Sequence, residues 1–302
     1  MKRNQIILCL GIFLVYFIAF AFCEEDYHRP TGNASVVRET DRLKVVWVQS
    51  RVLEKPMRVI VFLPDGYTKE TKYPVLYLLH GYSNIEDNWF TKVEIHRAYD
   101  KLIASGRIVP LITVSPEIDN SYGINSADKP QIIGSPDDLS NNTAKGRYED
   151  WLYQELIPHI DAHYSTAASR EARFIGGQSM GGFAALHLAF RHPDLFSKVG
   201  GHMPGLSVDP AASGNHFLYP DEATRQSRDP IMLAQNKDLT SLKVYLDVGD
   251  KDGYRLWEGC EKLSSILKGR GVSVEYHLNK GDHSSYYVKT QVENYLLFYA
   301  GK

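Results

Sequence analysis

The stretch Arg173-Phe174-Ile175-Gly176-Gly177-Gln178-Ser179-Met180-Gly181-Gly182-Phe183 decides the reading of this 302-residue chain. Arg173 to Gly176 reads as a short strand, and apolar side chains recur at helical spacing from Met180 to Phe190. Between them lies Gly-x-Ser-x-Gly. A strand that turns sharply into a helix needs glycine on both sides of the turning residue, because the turn is strained and neighbouring backbone comes close. Ser179 is therefore expected at a helix N-terminus, where backbone N–H groups stabilise negative charge.

The same rhythm repeats outward from this elbow. Leu43 to Gln49 and Met57 to Leu63 are rich in β-branched residues and joined by a polar turn, the pattern of an antiparallel hairpin. Val75 to Leu79, Ile108 to Val114, Lys198 to Gly201, Lys243 to Val248 and Val272 to Leu278 bring the strands to eight. Helical spacing recurs at Trp151 to Tyr164, Leu256 to Leu267 and Tyr287 to Tyr299. This alternation predicts an α/β fold, a mostly parallel eight-stranded sheet with helices on both faces. Right-handed crossovers then place the chemistry in loops at the carboxyl ends of the strands. Segments 115–147 and 202–241 are long and polar, and are expected to overhang that edge as loops.

Composition bounds the rest. The chain is 43% apolar and 23% charged, which excludes a disordered, collagen-like or multi-span membrane protein. With 34 Lys+Arg against 36 Asp+Glu there is no basic excess to neutralise phosphates, so nucleic acid is not an expected partner. Lys2 and Arg3, the apolar run Ile6 to Phe22 and the small residues Ala19 and Ala21 have the order of a secretory leader. Residues 1–23 are expected to be a signal peptide and 24–302 one catalytic domain, secreted or periplasmic. An uncleaved anchor, or a lipid on Cys23, are the alternatives, and both also put the body outside the cytoplasm. Cys260 is expected to be a small buried hydrophobe. Asn33 and Asn141 begin Asn-x-Ser/Thr strings.

A serine hydroxyl is a poor nucleophile until a base takes its proton and an acid orients that base. After an elbow of this kind the acid should come next in the chain, then the histidine. The strand ending at Val248 runs into Gly249-Asp250-Lys251-Asp252-Gly253, and the last long strand into Asn279-Lys280-Gly281-Asp282-His283. Asp252 and His283 are the choices. Asp247 lies within its strand and is expected to point into packing or cap a turn. Asp250 is one step early on the turn, and Asp282 would project away from the base. His277 sits within a strand, and His187 lies two turns along the elbow helix.

The oxyanion needs two N–H donors, for which Met180 and Tyr82 are the candidates, Gly81 permitting the turn at Tyr82. His80 beside them is read as structural. Trp89, His202 and Tyr286 are weak candidates for substrate contacts, and Tyr122 and Tyr287 also lie near the site loops. No cofactor or metal is called for. His159 and His163 lack a third ligand, and the Asp250 loop lacks the first and last ligands of a calcium site.

Taken together, Val61-Phe62-Leu63-Pro64, Tyr73-Pro74-Val75 through His80-Gly81, Trp89, Glu155-Leu156-Ile157-Pro158, the elbow, His192-Pro193-Asp194-Leu195-Phe196, Gly249-x-x-Asp252 and His283 resemble the esterase D-like family of α/β-hydrolases. The resemblance covers roughly residues 40–300. It implies the α/β-hydrolase fold, with Ser179 as nucleophile, Asp252 as acid, His283 as base, and Tyr82 and Met180 as oxyanion donors. Gly201-His202-Met203 departs from the small pair that many members carry there. The implied activity is a serine carboxylic-ester hydrolase, feruloyl or acetylxylan esterase in type, with a polysaccharide-linked ester as substrate. Acyl transfer of the mycolyltransferase type, siderophore-ester hydrolysis and a non-catalytic binding protein are the alternatives.

Overall fold

The computed structural model describes residues 37–209 and 217–302. The leader pattern at 1–23, Cys23 and Asn33 lie outside the described residues. Ten strands and nine α-helical segments follow in chain order: β1 (Leu43–Ser50), β2 (Lys55–Phe62), β3 (Val75–Leu79), α1 (Asn88–Thr91), α2 (Ile95–Ala104), β4 (Ile112–Pro116), β5 (Gln131–Gly134), β6 (Asn142–Lys145), α3 (Tyr148–Asp150), α4 (Ile157–His163), β7 (Arg173–Gln178), α5 (Met180–Arg191), β8 (Lys198–His202), α6 (Glu222–Arg228), α7 (Pro230–Asn236), β9 (Lys243–Gly249), α8 (Trp257–Gly269), β10 (Ser273–Asn279) and α9 (Ser285–Ala300). Eight strands form one sheet in the order β1-β2-β4-β3-β7-β8-β9-β10. The first three pair antiparallel, and from β4 onward every pairing is parallel. Each of the eight expected strands has its counterpart there.

Alternation along the inner strands divides the core into two layers. Val59, Val61, Tyr77 and Leu79 pack on one face of the sheet, and Ile60, Phe62, Leu76 and Leu78 on the other. Elbow helix α5 is buried along almost its whole length, which explains why its sequence is apolar nearly all round. Full burial of each such Leu or Phe contributes about 1.5–3 kcal/mol.

Four expectations are corrected. The strand expected at 108–114 runs from Ile112 to Pro116, because Pro110 interrupts the run. Ile108 instead bridges to Gly301. The helix expected from Trp151 begins at Tyr148 and passes through a π-helical stretch, Trp151–Leu156, where Pro158 has no N–H to give to Gln154. Segment 115–147 holds a two-stranded sheet, with β5 antiparallel to β6. Segment 202–241 holds two helices, α6 capped by the Asp221 carboxylate on the Thr224 N–H and α7 by Asp229 on the Ile231 N–H, with Pro230 at the first turn. Among the described residues no helix is long and apolar enough to cross a membrane.

One buried ion cluster carries a pH expectation. Glu149 accepts from Arg191 Nε at 2.8 Å and His192 Nε2 at 2.9 Å, and lies 3.3 Å from His187 Nε2. Burial alone would raise its pKa, but the hydrogen bonds from His187 and His192 and the Arg191 charge hold it well below the usual carboxylate range. A carboxylate with a depressed folded pKa contributes stability above its unfolded pKa of about 4.3, and loses it as pH falls toward the folded value. Glu149→Gln should therefore be less stable than the parent at neutral pH. Below about pH 4.3 the gap should close by up to about 1.4 kcal/mol per pH unit. Urea unfolding from pH 3 to 7 measures this, and a gap that stays constant with pH would refute it.

Candidate active site

The Gly-x-Ser-x-Gly turn puts Ser179 between β7 and α5 with φ 53° and ψ −116°, a backbone conformation that a non-glycine residue holds only under constraint. The constraint is visible on both sides. The Ser179 N–H donates to His202 O at 2.9 Å, while Ser179 O accepts from the N–H groups of Phe183 and Gly205. A Cβ on Gly177 would lie 2.3 Å from the Gly181 backbone, and one on Gly181 would lie 2.3 Å from Leu79 O. Only glycine lets α5 approach the end of β3 this closely.

His283 stands in the loop after β10, and Asp252 in the loop after β9. His283 Nδ1 lies 2.7 Å from Asp252 Oδ2, and His283 Nε2 lies 2.9 Å from Ser179 Oγ. Asp252 is buried and His283 partly exposed. A carboxylate can only accept, so Nδ1 carries the proton donated to Asp252 and Nε2 is left to accept from the serine hydroxyl. The second Asp252 oxygen accepts from the Tyr254 N–H at 2.8 Å, fixing the carboxylate. The structure thus brings Ser179, His283 and Asp252 into one relay from three separate connections.

The loop that carries Tyr82 follows β3 and runs beside the elbow. A Cβ on Gly81 would sit 3.5 Å from Gln178 O. The Tyr82 hydroxyl donates to Asn142 O on β6, and the Ser83 N–H donates to Asn120 Oδ1 at 2.9 Å. His80 anchors the loop from below: Nδ1 faces Gly81 O at 2.9 Å and Nε2 faces Glu117 Oε1 at 2.8 Å. The Ile118 N–H also meets Nε2, at 3.2 Å. Burial by itself would depress the His80 pKa, but the Glu117 carboxylate outweighs it and the pKa rises. His80 is structural.

Two of the weak substrate candidates are corrected. Trp89 is fully buried, and its indole N–H donates to Leu79 O at 3.1 Å. His202 is also fully buried, 3.0 Å from Asp247 Oδ1, with its ring stacked on Tyr295. Neither reaches solvent. Tyr286 is 75% exposed, whereas Tyr287 points inward. Its hydroxyl and that of Tyr295 both donate to Asp247 Oδ2 at 2.7 Å. Asp247 is therefore packed, as its place within a strand suggested, and it ties β8, β9 and α9 together. Asp250 accepts from the Gly281 N–H and Asp282 from the Ser284 hydroxyl, so neither competes with Asp252.

Sequence reasoning passed over Tyr254, 72% exposed, whose ring meets His283 edge-on with centroids 4.9 Å apart. Its place two residues after Asp252 was the available signal. Among the described residues no group of three His, Cys, Asp or Glu side chains is placed to hold a metal ion. Cys260 is buried and free, and burial pushes its thiol pKa up.

The model of the family described as "Putative esterase" matches residues 50–296, nearly all of the described chain. The chain belongs to that family. It has the α/β-hydrolase fold, with an eight-stranded, mostly parallel sheet and helices around it. A sequence relative named endo-1,4-beta-xylanase/feruloyl esterase, from Xylanibacter ruminicola, is 31% identical over 227 residues. The match covers 73% of this chain but only 26% of that protein, so the chain spans about a quarter of the relative's length. A solved ferulic acid esterase superposes with a TM-score of 0.69 at 26% identity, covering 85% of this chain and 98% of the other. An S-formylglutathione hydrolase from Agrobacterium tumefaciens, 19% identical, shares the fold with a TM-score of 0.68 over 87% of this chain and 97% of its own.

Proposed function

We propose that this esterase hydrolyses feruloyl esters of carbohydrates through an acyl-enzyme on Ser179. The Ser179 Oγ–His283–Asp252 relay carries the reading, supported by the names of the two feruloyl-esterase relatives. Oγ adds to the ester carbonyl as its proton passes to His283 Nε2. The carbonyl oxygen becomes an oxyanion held by the N–H groups of Met180 and Tyr82. Collapse of this intermediate breaks the C–O bond to the sugar hydroxyl, which leaves with the proton from His283. Water, deprotonated by the same imidazole, then adds to the acyl carbon; the acyl–Oγ bond breaks, His283 returns the proton to Ser179, and the carboxylic acid leaves. The leader pattern at residues 1–23 supports action outside the cytoplasm, where plant polysaccharide is met.

Methyl ferulate, acetylated xylan, p-nitrophenyl acetate and a siderophore ester, assayed side by side, test the substrate class. Ferulate release is expected to have the highest kcat/KM, and a best rate on any other ester would overturn it. Adding a competing alcohol should leave free acid as the main product. Dominant transfer to the alcohol would make the enzyme an acyltransferase.

A further inference from the structure

The two edges of the eight-stranded sheet are finished differently. At β1 the edge is blunted: Lys44 stands on it, and the Glu39 carboxylate takes the Val45 N–H at 2.8 Å. At the other end β10, Ser273-Val274-Glu275-Tyr276-His277-Leu278-Asn279, carries no Lys, Arg, Pro or Gly. It pairs on one side only, parallel to β9. We infer that the outer side of β10 pairs antiparallel with β10 of a second copy of this chain, about a two-fold axis at Tyr276.

The backbone sets the parity of that pairing. The Asp250 N–H donates to Asn279 O at 2.7 Å, so the odd-numbered residues of β10 aim their main-chain groups at β9. The N–H and C=O groups of Val274, Tyr276 and Leu278 therefore point outward, and among the described residues none bonds to them. An antiparallel ladder needs outward groups opposite outward groups, which puts the two-fold axis at a residue and not between residues. With the axis at Tyr276, all seven residues of the strand find a partner.

The side chains agree with this register. Glu275 then faces His277 of the second copy, and His277 faces its Glu275. These are non-hydrogen-bonded pairs, where opposed side chains come closest. In the single chain the two stand 3.6 Å apart, 60% and 43% exposed. On the opposite face Val274 meets Leu278 of the second copy, a side chain 49% exposed in the single chain. Val274 and Tyr276 already pack on the core cluster that holds Leu263 and Leu267 of α8, so the new contact extends that cluster across the axis. No like charges meet. Beside the strand on its α9 side lies a groove of about 350 Å³, lined by Glu275, His277, Asn279, Asn294 and Phe298, with room for the charged pairs.

β10 runs parallel to the strands that lead to Ser179, so the axis turns the carboxyl edges of the two sheets in opposite directions. Both Ser179 sites stay open.

Sedimentation velocity of the purified protein from about 1 to 100 µM should show a dimer with a micromolar dissociation constant, the strength of a small interface. His277→Glu sets carboxylates against each other twice across the axis and should weaken the dimer about tenfold or more. Combining Glu275→His with His277→Glu exchanges the two residues and restores both pairs. That double variant should return to within about threefold of the wild-type dissociation constant. Both variants alter only exposed side chains, and their far-UV circular dichroism should match the wild type. A wild-type monomer across the whole range overturns the proposal. So does a dimer that His277→Glu leaves intact, or a double variant that stays as weak as the single one.

Discussion

Ser179→Ala should lower kcat on an aryl or feruloyl ester by about 10⁵- to 10⁶-fold, the loss expected when a triad nucleophile is removed. Some acceleration over water should survive, because the Met180 and Tyr82 N–H groups do not depend on the serine side chain. The variant should fold like the parent. Serine and alanine bear similar strain at φ 53°, and the bonds that hold the elbow run through the backbone of residue 179, not its hydroxyl. Urea unfolding midpoints should agree within experimental error while activity collapses. Wild-type turnover by Ser179→Ala on p-nitrophenyl acetate would remove the nucleophile assignment and the acyl-enzyme with it.

Asp252→Asn should cost about 10⁴-fold in kcat with little change in KM, because the loss falls on the imidazole's tautomer rather than on substrate contacts. In the parent, the Asp252 carboxylate can only accept, which forces the proton onto His283 Nδ1 and frees Nε2 for Ser179. An amide can donate toward Nδ1 and so favour the opposite tautomer, leaving Nε2 protonated and unable to take the hydroxyl proton. Asp250→Asn is the control two residues away. Its carboxylate accepts from the Gly281 N–H and not from His283, and its loss should cost less than tenfold. Equal effects from the two substitutions would show that the loop's shape, not the carboxylate at 252, is what matters.

The triad was legible because each member is announced by local backbone chemistry. Glycines mark the elbow at Ser179, and Asp252 and His283 each follow a strand whose apolar run is plain in the sequence. The inward-facing residues were harder, since the guess at Trp89 and His202 used nearness in sequence to a site loop. His202 pairs in register with Asp247, so the two side chains share a face of the sheet. That register depends on strand order, and the sequence does not show that β8 lies beside β9. The β5–β6 ribbon escaped because its strands are four residues long, and β5 is exposed throughout, leaving no apolar alternation to find. Helices α6 and α7 did leave a trace in the caps Asp221 and Asp229 and in Pro230, which the polar composition of that stretch hid.

Asp247 acts as a keystone set behind Ser179 and His283. It receives a tyrosine from the first turn of α9, just past the loop that carries His283, and another from farther along that helix. On its other side it faces the histidine whose carbonyl oxygen takes the Ser179 N–H. Detachment of the C-terminal helix would therefore slacken both ends of the proton relay in a single event. Trimming the chain back through Tyr295 should silence the enzyme while much of the sheet still resists exchange with solvent.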